Sequence, residues 1–496
     1  MSRKRVILIT IGLMLSLFLA SMESTVVATA MPTIVSQLGG FESYSWVFSA
    51  YMLASTTTVP LFGKLSDIFG RRPVYACSLL LFLAGSLLCG QAQSMSMLIA
   101  FRVVQGLGAG GLMPLAITII GDLFTFEQRA RMQGLFSGVW GVSAVAGPLV
   151  GGFLIDQASW QWVFLINLFP GLLAGALVWF AWVDRPRDTA DRPSIDWAGA
   201  AMLTLTVVLL LLALLELGRP ISWGLFVGAA LSAALLIWIE RRAADPIVPL
   251  GLFGDRMFAI ANLHGVLAGC ALFGLISFVP LFAQAVLGTS PTAAGAVLSP
   301  LLLGWVISST VGSRLLLKLS ARALALVGTG LLMVGTALVT QIGESSSQLA
   351  LGFDLTLMGV GMGLGIPAFL IAVQSTVQRR DLGVATSTVQ FSRSIGGTIG
   401  VSVMGAVLSA GLSSRLSALG LDLSLVDQLL SPEGAAANAV VEGPARLALA
   451  GAMQGVFLTA AITSVLAFVA VLFTPGGRID QLAADESAPS TLPAGD

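Results

Sequence analysis

At 496 residues, 56% hydrophobic, 10% charged and with a formal net charge of zero, this chain falls outside the ordinary soluble class. Soluble domains carry about 25% charged residues, and the mean hydropathy here is +0.93. Repeated apolar runs near the roughly 20 residues that span a hydrocarbon core make it a multi-span membrane protein. The zero balance gives no ground for inferring an acidic or basic partner. Cys77, Cys89 and Cys270 all lie inside apolar runs, so neither a disulfide framework nor a paired metal site is expected. The 56 glycines suit helices packed backbone-close in lipid.

Taken in chain order, helices are predicted near 6–31, 45–63, 74–92, 96–120, 133–155, 162–183 and 196–217, then 223–240, 257–287, 292–313, 323–342, 349–374, 385–410 and 448–474. The first begins after "RKR" and approaches Ala28-Thr29-Ala30, a signal-peptide shape. Glu23 interrupts it and thirteen spans follow, so a retained helix is expected. With the N-terminus inside, 20 of the 25 Lys and Arg residues fall in inner segments, and only Arg219, Arg415 and Arg446 in outer ones. That is the positive-inside asymmetry. Fourteen transmembrane helices with both termini cytoplasmic are therefore expected.

Three segments stand apart. The inner stretch Asp184–Ile195, "DRPRDTADRPSI", is a charged, Pro-containing linker. The outer loop 411–447 contains "SALGLDLSLVDQLL", able to lie on the membrane surface as an amphipathic helix. The polar tail 475–496 has a disorder-prone composition.

Two cations remain inside helices, Arg102 and Arg393, with Glu23 on the acidic side. Ionisable groups inside a membrane are costly, face a bundle interior or cavity, and mark function by default. At 1.5 Å per residue, Glu23 lies about 13 Å and Arg102 about 9 Å below the same outer surface, so they can meet if their helices are neighbours. Burial disfavours a charged carboxylate and a nearby Arg favours it. A carboxyl balanced between the two can exchange a proton; the same pair can also be a fixed lock between two helices. Asp354 is a weaker candidate, near an outer end where water can solvate it. His264, the sole histidine, is expected to be packed or hydrogen-bonded rather than a shuttle. There is no GxxxxGK[ST] nucleotide loop, so uphill transport would draw on an ion gradient or a partner.

The stretch "GKLSDIFGRR" after the second helix resembles the loop signature of the major facilitator superfamily, matching at Gly63, Asp67, Gly70, Arg71 and Arg72. "RVVQGLGAG" resembles that family's proton-linked motif, matching at Arg102, Gln105, Gly106 and Gly108. "GLFSGVWGVSAVAGPLVGG" resembles its exporter motif at Gly134, Gly147, Pro148, Gly151 and Gly152, with Ser143 in place of a Gly. "MESTVVATAMP", "SWQWVFLIN", "PLFAQAVLGTSPTAAGAVLSP" and "FSRSIGGTIG" are similar to fourteen-span drug:proton antiporters of the EmrB/QacA type. Glu23 stands there for an Asp and Ala28 for an Asn.

The resemblance implies an all-α membrane fold of two six-helix bundles, 1–183 and 257–474, with two inserted helices in 184–256. A second loop signature is expected near Gly312–Arg322, but Leu316 occupies its acidic position. The resemblance further implies a non-enzymatic proton-coupled exporter of lipophilic, possibly cationic, compounds, in the inner cell membrane. It implies alternating access, Glu23 and Arg102 coupling protons, and Asp67 closing a cytoplasmic gate with Arg71 and Arg72. No cofactor, metal or nucleic acid is expected; the partners are substrate, protons and lipids around a monomer. Trp46, Tyr51, Gln105, Phe278, Gln284, Phe391, Arg393 and Asp354 are the candidate substrate-binding residues. Export of an endogenous lipid, siderophore or natural product is the alternative, and a non-transporting receptor a third reading.

Overall fold

The computed structural model describes residues 3–124, 126–182, 196–216, 219–243, 248, 250–316, 318–344, 346–377, 382–421 and 439–476. Every regular element among them is helical. The first group comprises α1 (Arg3–Leu38), α2 (Tyr44–Phe69), α3 (Arg71–Cys89), α4 (Met95–Leu123), α5 (Phe126–Gln157), the short α6 (Trp162–Leu165) and α7 (Leu168–Ala181). Then come α8 (Trp197–Leu215) and α9 (Pro220–Glu240). The last group is α10 (Arg256–Ala285), α11 (Pro291–Leu315), α12 (Ala321–Val339), α13 (Gln348–Thr376), α14 (Leu382–Ala418) and α15 (Ala439–Leu472).

Each sequence-predicted span overlaps a helix, the sixth being divided between α6 and α7. Among the described residues, twelve helices are long and apolar enough to cross a membrane. The long helices α2 and α5 are not among them. Helix α2 dilutes its apolar residues with Thr56-Thr57-Thr58, which a helix enclosed between other helices tolerates; in α5 many side chains lie outside the described residues. The outer loop 411–447 is described only to 421 and from 439; there α14 and α15 continue into it. The remainder of that loop, the whole Asp184–Ile195 linker and the tail from 477 lie outside the described residues.

Local chemistry sets the helix starts. Ser94, Asp196, Asp255, Ser290, Ser320 and Ser347 each accept the backbone N–H three residues on, which satisfies a donor the first turn would leave orphaned. Gly70 joins α2 to α3 alone, at φ +94°, a conformation that a side chain disfavours. Between α6 and α7, Pro170 has no N–H to offer the Ile166 carbonyl, and the Asn167 N–H bonds back to Phe164 at 3.2 Å. The helix tightens by one turn at Asn167.

Packing repeats across the chain. In the first group α2 and α3 pack on α4, while α1 packs on α5 and α7. In the last group α11 and α12 pack on α13, while α10 packs on α14 and α15. Small residues permit these approaches: a Cβ on Gly108 would overlap the Phe82 backbone, and one on Gly359 the Leu301 carbonyl. The two groups meet through α5 with α11, α2 with α14 and α1 with α10; α8 pairs with α9 and touches α2 and α14.

Their meeting is one-sided. Near the α1–α2 turn one core spans both groups, joining Val27, Ile34 and Tyr44 to Leu275, Phe282, Leu298 and Met404. Towards Gly70 the cores separate. Leu13, Tyr75, Phe82 and Leu115 belong to the first group, and Phe258, Leu324, Phe369 and Ala372 to the last. Hydrogen bonds follow the shared core. Tyr44 Oη donates to the Ser277 carbonyl at 2.9 Å, Ser49 and Ser402 hydroxyls meet at 3.0 Å, and Gln284 Nε2 donates to the Thr29 carbonyl at 3.1 Å. Thr292 Oγ1 donates to Asp156 at the same end.

Candidate functional site: a buried ion pair between helices

Glu23 on α1 and Arg102 on α4 are each 1% exposed, and Arg102 Nη1 lies 2.5 Å from Glu23 Oε1. The similar depths read from the sequence therefore correspond to direct contact. Arg102 is further fixed by donating from Nη1 to Gln105 Oε1 at 2.7 Å and from Nε to the Val47 carbonyl at 3.1 Å. The Tyr51 ring centre lies 4.0 Å from its guanidinium carbon. Five donors in a planar fork suit Arg to this many-sided hold.

The second Glu23 oxygen is occupied by a residue the sequence reading did not single out. Asn167 Nδ2 donates to Glu23 Oε2 at 2.8 Å and lies 2.9 Å from Ser86 Oγ. Gln105 Nε2 donates to the same Ser86 oxygen at 3.0 Å, and Ser86 Oγ donates to the Phe164 carbonyl at 2.9 Å. The tightened turn before Pro170 presents Asn167 to α1. An Asn ending the apolar run "WVFLIN" was the available signal; its distance from Glu23 in sequence hid the contact. Gln105, expected among the pocket residues, belongs to this network instead.

Chemically, a network of this kind can couple a proton to helix arrangement. A buried pair robbed of one charge leaves the other uncompensated, at a cost of about 3–5 kcal/mol. Protonating Glu23 removes its charge while Arg102 keeps its own. Every group bonded to either side chain, on α1, α2, α4 and the α6–α7 turn, then needs a new arrangement.

The α5 motif lies behind this pair. A Cβ on Gly147 or Gly151 would meet Thr25 or Thr29 of α1, while one on Gly152 would meet the backbone of Pro291 and Thr292 on α11. Pro148 faces Gly295 of α11. The motif thus packs the Glu23 helix on one side and the last group on the other. Gly134, Gly63 and Asp67 lie on α5 and α2, with their surroundings outside the described residues. Near them, Arg71 Nη1 donates to Ser66 Oγ at 2.5 Å and Arg72 stacks on the Trp179 ring at 4.1 Å.

The other candidates disperse. Trp46 is half-buried. Phe278 is wholly buried and stacked on Tyr44, with ring centres 5.4 Å apart, so it fills the shared core. Gln284 is taken up by Thr29. Phe391 packs against α8 beside Leu203 and Leu211; one and two turns along α14, Ile395 and Ile399 point the same way, a face that sequence alone did not assign. Asp354 is 6% exposed, covered rather than solvated as expected. His264 meets Thr329 Oγ1 at 3.0 Å and packs on the Phe369 ring. Cys89 and Cys270 are buried, whereas Cys77 is exposed. Among the described residues no cluster of side chains has a metal-binding arrangement.

This is a multi-pass helical membrane protein with a buried charge network in one half. Residues 13–401 match the family model described as Major Facilitator Superfamily, and the chain belongs to that family of transporters. It is 40% identical over 420 residues to the multidrug transporter protein MdtP of Bacillus subtilis (strain 168), covering 84% of this chain and 77% of that protein. It is 34% identical to multidrug resistance protein 3 of the same organism, over 95% of each chain. Among solved structures, it resembles a bacterial homologue of the human lysosomal transporter Spinster in an inward-facing, occupied conformation. That match has a TM-score of 0.72 at 17% identity, over 99% of this chain and 100% of that one, and speaks to the fold alone.

Proposed function

We propose that this chain is a proton-coupled multidrug exporter of the inner cell membrane, moving lipophilic compounds outward by alternating access. The observation that carries this reading is the doubly bonded Glu23 carboxylate paired with Arg102 in an otherwise apolar helix bundle. Intramembrane acids held this way mark proton relays, and the names of its relatives support a multidrug cargo. Fourteen spans, both termini cytoplasmic, and two six-helix bundles flanking α8 and α9 complete the proposal. The repeated packing of the two groups supports the bundle division, since transporters of this kind rock one repeat against another.

In this topology the end closed by the shared core is the outer one, and the described arrangement is inward-facing. Substrate enters between the separated cores from the cytoplasm or inner leaflet. The halves then close near Gly70 and Asp67 while the outer contacts of Asp156, Gln284 and Ser49 part. A proton from outside takes the Glu23 carboxylate, loosens its hold on Arg102 and Asn167, and accompanies substrate release. Return to the inward state discharges the proton to the cytoplasm. On closing, Asp67 binds near the start of α14 and latches the cytoplasmic side, where a helix N-terminus favours an anion.

The test uses energised inside-out vesicles loaded with a pH dye and offered lipophilic drugs, lipids and peptides. Drug-induced proton movement in the wild type, lost in Glu23→Gln, supports the reading. A response to lipids alone would transfer the proposal to an endogenous cargo.

A further inference from the structure

A second arginine inside a helix, Arg393, has no counter-ion among the described residues. Arg393 sits on α14, half-buried, with its Nε covered and without a hydrogen-bond partner. Among the described residues it makes no ion pair or hydrogen bond, and its nearest electronic partner is the Trp305 ring, 5.9 Å away. It borders a crevice whose other walls include His264, Ile366, Phe369, Leu370 and Gln390. His264 is already engaged by Thr329, so it supplies bulk more than charge. The α14 backbone is held here by close approach: a Cβ on Gly269 would overlap the Arg393 carbonyl.

A cation kept inside a membrane protein without an acid is costly, and such groups face one another or a functional cavity. The structure elsewhere provides Arg102 with an acid, an amide, a carbonyl and an aromatic face. Arg393 receives none of the first three. Its guanidinium fork matches the two oxygens of a carboxylate or phosphate, and the neighbouring aromatic and aliphatic walls match an apolar body.

We propose that Arg393 is a substrate-specificity residue, whose missing counter-ion is the carboxylate, phosphate or sulfonate group of an amphipathic substrate lying in this crevice. The proposal rests on the export reading above and sharpens its cargo: anionic amphiphiles are bound in preference to their neutral and cationic counterparts.

The experiment uses the full chain, purified and placed in phosphatidylcholine nanodiscs. Three dansylated alkyl probes are compared, identical apart from a terminal carboxylate, primary amide or amine. The carboxylate is expected to bind roughly ten- to a hundredfold more tightly than the amide, the range of a hydrogen-bonded charge. Arg393→Gln should abolish that gap without lowering the thermal unfolding temperature, and Arg393→Lys should retain part of it. Equal affinity for carboxylate and amide, or a preference that survives in Arg393→Gln, overturns the inference. Adding phosphatidylglycerol to the discs separates two sources of the anion. If the lipid removes the probe's advantage, the occupant is a lipid headgroup; if the advantage persists, it is a free amphiphile.

Transport of the same probes keeps the two levels distinct. Proton-coupled movement of the amine or amide without any carboxylate preference leaves the export reading standing and removes this one. A carboxylate preference dependent on Arg393, with no transport of any probe in proteoliposomes, removes export and leaves the binding site.

Discussion

The two halves of the molecule each hold an arginine within an apolar helix, and they treat it differently. In the first half, Arg102 is held by Glu23, Gln105, the Val47 carbonyl and the Tyr51 ring. In the second, the distant Trp305 ring is the one charge-stabilising contact of Arg393 among the described residues. The helix packing around them repeats, so the contrast does not arise from architecture. It arises from which acids and amides accompany each cation. A fully compensated pair suits a charge whose partner changes protonation within the protein; an uncompensated cation suits a partner that arrives from outside. On this view the halves divide the work, proton handling in one and recognition of cargo in the other.

Removing one charge of the compensated pair should have the largest effect. Glu23→Gln leaves Arg102 buried without an anion, so about 3–5 kcal/mol of stability is lost, read as an earlier thermal unfolding in detergent. Substrate-driven proton movement is lost with it. The double substitution Glu23→Gln with Arg102→Gln should recover most of the stability and none of the coupling. Recovery of both would break the division between the halves.

Next comes Asn167→Ala, which removes a hydrogen bond to the Glu23 carboxylate, about 1.5–3 kcal/mol for a charged partner. Proton-coupled transport should fall roughly tenfold or more while the binding of amphiphilic probes in the second half is kept. A comparable loss of probe binding would blur the comparison.

Gly152→Leu sets a side chain against the Thr292 backbone, an overpacking of about 1–3 kcal/mol. It should hold the closed outer end apart and shift cross-linking between cysteines placed at the ends of α5 and α11. Gln284→Ala removes one bond between the halves, about 0.5–1.5 kcal/mol, and should speed opening of that end with coupling intact. The smallest expected effect is that of Asp156→Asn, an exposed contact to Thr292 with a typical contribution of under about 1 kcal/mol, read as a slight change in transport rate.

Much of the helical scaffold was legible in the sequence because long apolar runs are local signals. The ion pair was legible for a different reason: charges are so rare in these helices that Glu23 and Arg102, at similar depth, had few other partners. Asn167 was not, because its role depends on the turn at Pro170 and on the packing of α7 against α1. The directions in which Phe391 and Phe278 pack were not legible, because helices apolar on every face give no periodicity from which to read them. Phe391 turned to α8 and Phe278 into the shared core. Gln105, one turn beyond Arg102, could have been placed in the network by its i+3 spacing alone.

The central claim is that the Glu23 carboxyl exchanges a proton as cargo binds. Its most direct test needs no membrane gradient. Purified wild-type protein in weakly buffered detergent, with a pH dye, is mixed with a transported substrate, and the proton released per chain is recorded beside that of Glu23→Gln. The account predicts release from the wild type and none from the variant, with substrate binding confirmed in both. Equal release from the two proteins would contradict it.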